Sequence, residues 1–128
     1  MNSSPKSSPK PTPGATGGRA ESIAAAHLMR EGLTIIGRNF RTRFGEIDLI
    51  ARDGRTLVFV EVRMRRSLRF GGALESITAA KRARMLAAAN GYLAMLGHEP
   101  ACRFDVIVMQ GVDGHDVTWR RDVLAVDD

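Results

Sequence analysis

Two apolar runs joined by an Asp-Gly pair constrain this chain more than any other feature. They are EIDLIAR at residues 46–52 and TLVFVEVRMR at residues 56–65, on either side of Asp53 and Gly54. Asp-Gly between β-prone runs is a strong signal for a two-residue hairpin. With Asp53 and Gly54 as the turn residues, Asp48 falls opposite Phe59 and Glu46 opposite Glu61. Side chains alternate between faces, so Glu46, Asp48, Ile50, Leu57, Phe59, Glu61 and Arg63 share one face. Ile47, Leu49, Val58, Val60 and Val62 share the other. Asp48 and Glu61 become diagonal neighbours, with β-carbons roughly 5–7 Å apart.

Two carboxylates so close repel each other unless a cation lies between them. Mg²⁺, with Mn²⁺ as a substitute, takes one or two carboxylates together with waters and phosphate oxygens. The backbone carbonyl of Val62 offers one more oxygen, and Glu21 can approach from the helix that precedes the strands. A plainer reading stands beside this one. Asp48 is then a solvated strand residue, Glu61 an ion partner of Arg63 or Arg65, and Glu21 a first-turn residue favoured by the helix dipole.

The remaining pattern frames that hairpin. Residues 1–17 hold four of the five prolines and no large apolar residue beyond the initiator methionine, so they are expected to form a flexible tail. A single domain is expected over residues 18–128. GRAESIAAAHLMREG reads as a helix that stops at Gly32, with Glu21, Ala25 and Leu28 on one side. LTIIGRNF is a short β-prone run. A long helix is predicted from Ser76 to Leu96, with Met85, Leu86, Ala89, Leu93 and Leu96 turned inward. FDVIVMQG and DVTW then pair around Asp113 and Gly114. The predicted order is α-β-β-β-α-β-β, an α/β sandwich about a mixed β-sheet flanked by helices.

Charge points to a partner class. Nineteen basic residues against fourteen acidic ones give a net charge of +5 and an isoelectric point near 10.3. Nine arginines and four acids lie between Arg38 and Arg69, whereas six acids and two bases lie from Asp105 onward. Such asymmetry suits a polyanion. Arg41, Arg43, Arg65, Arg66 and Arg69 flank the paired carboxylates and are candidates to grip phosphates, a contact that adds affinity without reading sequence. No apolar run approaches the roughly 18 residues of a membrane span. Serines and prolines follow the first lysine where a signal peptide has its apolar core, so export is not expected. The single cysteine, Cys102, suits a reducing cytoplasm.

The ordered combination GEIDLI, a short turn, LVFVEVR, a downstream FG, the helical KRARM and a later RFD resembles the YraN-like bacterial protein family. That family is related to archaeal Holliday-junction resolvases within the PD-(D/E)xK nuclease superfamily. The resemblance covers about Gly18 to Val108. It implies a restriction-endonuclease-like core, use of Mg²⁺ and hydrolysis of DNA phosphodiesters, on branched or single-stranded DNA in recombination or repair. Carried over by position, Glu21 matches the first-helix glutamate, Asp48 the motif aspartate and Glu61 the motif glutamate. Arg63 stands where the superfamily has lysine. Arginine neutralises charge but cannot accept a proton, because its pKa exceeds about 12.

Two classes of function follow. In one, the chain is a metal-dependent endonuclease. In the other, it is a catalytically silent DNA-binding or partner-docking module that kept the fold and lost the lysine. Lys81, the only lysine beyond the tail, either reaches the site and partly replaces the missing lysine or is solvated on the outer helix face. Symmetric cutting of a junction requires a two-fold homodimer, and no dimer surface is readable. Arg103 and Asp105 share a strand face and read as a structural ion pair in preference to a further metal ligand.

Overall fold

The computed structural model describes residues 15–65, 78–110 and 116–123. Thr56–Arg65, with the unbroken apolar run LVFV, forms the central strand, β3. Leu57, Val58, Phe59 and Val60 are all buried, as a strand covered on both faces requires. Gly45–Asp53 (β2) pairs antiparallel on one side of it, and Cys102–Gln110 (β4) pairs parallel on the other. Thr34–Thr42 (β1) and Asp116–Arg120 (β5) form the edges, giving the order β1-β2-β3-β4-β5.

Helix Ala15–Arg30 (α1) covers one face and helix Ala79–Leu96 (α2) the other. Ala24, Ala25 and Leu28 of α1 pack on Leu49, Ala51, Val58, Val60, Ile107 and Met109. Met85, Ala88 and Ala89 of α2 pack on Ile47, Ile50, Leu57, Phe59 and Phe104. Each large side chain so buried contributes about 1.5–3 kcal/mol. The α-β-β-β-α-β-β order and mixed sheet are those expected from the sequence, and they are consistent with a restriction-endonuclease-like α/β core.

Several details differ from the sequence expectation. Asp53 pairs with Thr56, so the turn residues are Gly54 and Arg55, not Asp53 and Gly54. Gly54 takes the positive φ of 63° that opens the loop. Every opposed pair therefore shifts: Ile50, not Asp48, faces Phe59. A shift of two residues keeps each side chain on its face. Ile47 is the exception, since it packs with Ile50 on the α2 side. Leu86 and Leu96 are exposed, and Ala88 takes the inward place. That helix is apolar on most sides, so periodicity did not single out the packed stripe. It starts at Ala79, where Thr78 caps it by accepting from the Lys81 N–H. Residues 66–77 and the Asp113–Gly114 turn lie outside the described residues.

The second hairpin is held by contact rather than by turn chemistry alone. Thr42 pairs with Gly45, leaving Arg43 and Phe44 as the loop. The Thr42 hydroxyl accepts from the N–H groups of Phe44 (3.0 Å) and Gly45 (3.1 Å). Gly45 lies flat against α2: a methyl group there would fall 2.7 Å from the Arg84 carbonyl carbon and closer still to its oxygen. Only glycine lets the hairpin tip seat on the helix.

Gly45→Ala is therefore expected to lower the unfolding free energy by about 1–3 kcal/mol, the usual cost of overpacking. Gly18→Ala, in helix α1 where nothing lies within 4 Å, is expected to leave it unchanged or raise it by up to about 1 kcal/mol. Urea denaturation of both variants checks the contrast.

Candidate metal centre and the cationic cleft beside it

The pairing of β2 with β3 ends at Leu49 and Val60, although both strands continue. One step further along the same register, Asp48 comes opposite Glu61. There the ladder bond is replaced: the Val62 N–H donates to Asp48 Oδ2 at 2.8 Å. Alternation in β2 also breaks here, since Ile47 and Ile50, three residues apart, reach the same cluster. Across the β1–β2 pair the position facing Asp48 is Asn39, between the pairs Arg38–Leu49 and Phe40–Ile47. Asn39 adopts a φ of 51°, a left-handed conformation that asparagine tolerates better than most residues. A local break in two strands thus turns the Asp48 carboxyl into the gap beside β3.

Glu61 continues the buried run of β3 and is only 5% exposed. A buried carboxylate needs partners. Lys81 Nζ lies 2.9 Å from Glu61 Oε2 and Arg63 Nη1 lies 3.5 Å from the same oxygen. Lys81 sits three residues after the Thr78 cap, a place where the helix dipole disfavours positive charge. The Glu61 carboxylate compensates for that. Lys81 therefore faces the sheet instead of the outer, solvated side of α2.

The acidic groups feel one another. Burial first, and then the negative charge of Glu61, push the Asp48 carboxyl up to about 7, against the lowering effect of the Val62 N–H. Glu21 adds to the upward push, and the nearness of the Glu61 carboxyl group favours a proton on Asp48. Glu21 is itself raised, chiefly by burial, while a hydrogen bond from the Asn39 side chain opposes the shift. Asp48 thus feels the charge of both Glu61 and Glu21, Glu61 the more strongly.

Among the described residues, no three His, Cys, Asp or Glu side chains are arranged to hold a metal ion unaided. The donors do suit a hard dication that takes two carboxylates and fills its shell with the Val62 carbonyl, water and phosphate oxygens. An ion placed between two neighbouring carboxyl groups removes the repulsion that raises Asp48.

A cleft of about 360 Å³ adjoins this site, lined by Arg41, Thr42, Arg43, Phe44, Gly45, Glu46, Lys81, Arg84 and Met85. Lys81 belongs to both the cleft and the carboxylate pair. The one acid in the lining, Glu46, is paired with Arg41 at 3.2 Å. Arg41 and Arg43 are therefore in the cleft as well as near the site in sequence. The Arg65 side chain, Arg66 and Arg69 lie outside the described residues. Arg84 was not anticipated, because its place depends on how α2 seats against Gly45. Phe44, an aromatic in an arginine-rich turn, was readable but was not singled out.

A second buried carboxylate has another purpose. Asp105 is fully buried, and its oxygens accept from Arg103 Nε (3.1 Å), Trp119 Nε1 (2.9 Å) and the Asp122 N–H (2.9 Å). Arg103 also reaches Asp53 at 3.1 Å. This network ties β5 and the segment after it to β4. Asp105 is saturated by these donors and serves as structure.

The described residues form a mixed-sheet α/β domain with a half-buried Asp48 beside a buried Glu61 at the edge of a cationic cleft. Residues 20–109 match the model of the Uncharacterised protein family UPF0102. The chain belongs to that family, the YraN-like one. A UPF0102 protein of Nitrosospira multiformis is 50% identical over 110 residues, covering 86% of this chain and 92% of that protein. One of Nitrosomonas europaea is 52% identical over 84% of this chain and 92% of its own length. One of Ralstonia nicotianae is 49% identical over 96% of this chain and 97% of its own. No helix among the described residues is long and apolar enough to cross a membrane.

The shift of Asp48 has a definite sign. The carboxyl titrates near 7 in the folded chain and near 3.8 when unfolded. Between those values the folded state keeps a proton that the unfolded state has released. In a chelator-containing buffer, stability therefore falls as pH rises from about 4 to about 7, and the loss is complete above that. Asp48→Asn keeps an acceptor for Val62 and removes the titration. It is expected to exceed the native chain by ~2–4 kcal/mol at about pH 8, at 1.36 kcal/mol per pKa unit, and to match it near pH 4. Urea unfolding at both pH values checks this; the same difference at each would contradict it.

Proposed function

We propose that this protein is a metal-dependent endonuclease acting on DNA phosphodiester bonds, of the PD-(D/E)xK kind, working in recombination or repair. The observation that carries the reading is the neighbouring carboxyl groups of Asp48, held by the Val62 N–H at 2.8 Å, and Glu61, with Lys81 2.9 Å from Glu61 at the mouth of a cationic cleft. The order of the GEIDLI and LVFVEVR motifs supports it independently. Asp48, Glu61 and the Val62 carbonyl would hold Mg²⁺ or Mn²⁺, with Glu21 behind Asp48. When bound, the ion supplies positive charge that polarises a phosphodiester for attack by water.

The remaining work falls to side chains. Arg41, Arg43 and Arg84 grip phosphates in the cleft and orient the strand, with no base readout. Lys81 and Arg63 hold the Glu61 carboxylate in place and present positive charge to the developing charge on phosphorus. Arg63 takes no part in proton transfer, since its guanidinium stays protonated. Lys81 is thus the amine that stands in for the motif lysine. The reducing cytoplasm is the proposed location, and symmetric cutting of a branched substrate would require two copies of the chain.

One observation favours a second reading, a DNA-binding module that no longer cuts: arginine occupies position 63, where the motif has lysine. Cleavage assays with Mg²⁺ and Mn²⁺ on duplex, single-stranded and four-way-junction DNA separate the two. The native chain is expected to cut, Asp48→Asn to lose at least about 100-fold, and Lys81→Ala to lose far more than an Arg30→Ala control. General acid–base and charge-stabilising groups commonly contribute about 10²–10⁴-fold. Cleavage by Arg63→Lys alone would establish the silent reading instead.

A further inference from the structure

The cleft beside the carboxylate pair carries a feature that phosphate binding does not use. Phe44 is 63% exposed at the tip of the β1–β2 hairpin. Its exposure is imposed by the backbone: the Thr42 hydroxyl fixes both following N–H groups, and Gly45 is seated on the Arg84 carbonyl. Arg43 lies with its guanidinium carbon 5.3 Å from the ring centroid, a cation–π arrangement. Arg41, Lys81 and Arg84 share the lining, and Glu46 is already engaged by Arg41.

An apolar anchor for a protein partner would be expected to sit within further apolar surface. Here the ring is set among cations, and Met85, the other large apolar residue of the cleft, is buried. A ring fixed in place with phosphate-binding charge around it is the platform used for single-stranded nucleic acid: cations follow the backbone and the aromatic takes the face of a base. Inside a duplex both faces of each base are covered by its neighbours. Only a base freed by a gap, flap or single strand offers a face to Phe44.

We infer that Phe44 stacks on an unpaired base and so directs this site to DNA in which unpaired nucleotides adjoin a duplex. The inference rests on the DNA reading above and narrows it to a substrate class. Because Lys81 lines the cleft and also touches Glu61, a strand anchored at Phe44 by its base runs its phosphates toward the Asp48–Glu61 pair. The break in pairing is thereby placed next to the site of cleavage.

The test is fluorescence anisotropy of the full chain, in a chelator to prevent cutting, with three labelled probes. These are a fully paired duplex, the same duplex with a three-nucleotide gap, and a single-stranded RNA of the gap-strand sequence. The native chain is expected to bind the gapped DNA most tightly. Phe44→Ala should weaken binding to the gapped DNA about 5- to 150-fold, the range for loss of one base–aromatic stack, and binding to the duplex less than about twofold. Phe44→Trp should restore it, which loss of a merely structural residue would not allow. Equal losses on gapped and paired DNA, or no native preference between them, overturn the inference and leave the DNA reading standing. No binding to either DNA overturns both, and preference for the RNA overturns the DNA class.

Discussion

The structure turns on the place where the β2–β3 ladder stops. A strand backbone group normally finds its partner on the neighbouring strand, but the Val62 N–H finds a side chain, the Asp48 carboxylate, at 2.8 Å. That bond holds Asp48 beside Glu61, which lies on a strand buried from both sides. Burial would ordinarily forbid two carboxyl groups in contact. The protein tolerates them through a raised Asp48, the Val62 N–H that bonds it, and the cations Lys81 and Arg63 at Glu61. A site so arranged is costly to stability, and costs of this kind cluster where function needs them.

Position decides how the cations divide. Lys81 stands in the first turn of a capped helix, where its charge is unfavourable by itself, and is retained against Glu61. Gly45 lets the β1–β2 hairpin close onto that same helix, bringing Arg41, Arg43 and Phe44 into one cleft with Lys81 and Arg84. The helix therefore joins two things distant in sequence, the carboxyl pair and the hairpin tip. On the neighbouring strand, β4, Asp105 shows what a purely structural buried carboxylate looks like: its oxygens are met by Arg103, Trp119 and the Asp122 N–H. Asp48 and Glu61 contrast with it, since each is the other's near neighbour.

Much of the fold was legible in the sequence. β3 declared itself by an unbroken apolar run, and helix α1 by Ala25 and Leu28 with a glycine stop. The shared face of Asp48 and Glu61 survived a wrong turn assignment, because moving the turn by one residue shifts each partner by two and preserves side-chain parity. The two positions are diagonal in the expected register, whereas the actual Leu49–Val60 pairing, extended by one step, sets them opposite each other. Other features depended on tertiary contact. Asn39 gave no hint of its left-handed φ, Ile47 crossed to the α2 side at the break, and Lys81 reached Glu61 only through the docking of α2. The alanine-rich helix gave too little contrast between faces to distinguish Leu86 from Ala88.

The central claim is that Asp48 and Glu61 form a cation site, with the proton that Asp48 retains to about pH 7 giving way to the ion. Calorimetric titration of Mn²⁺ into the full chain near pH 7, repeated in buffers of different ionisation enthalpy, tests it most directly. The account predicts one ion per chain, bound with release of protons, and loss of that binding in Asp48→Asn and in Glu61→Gln. Native binding without proton release, or binding that both variants retain, would contradict it.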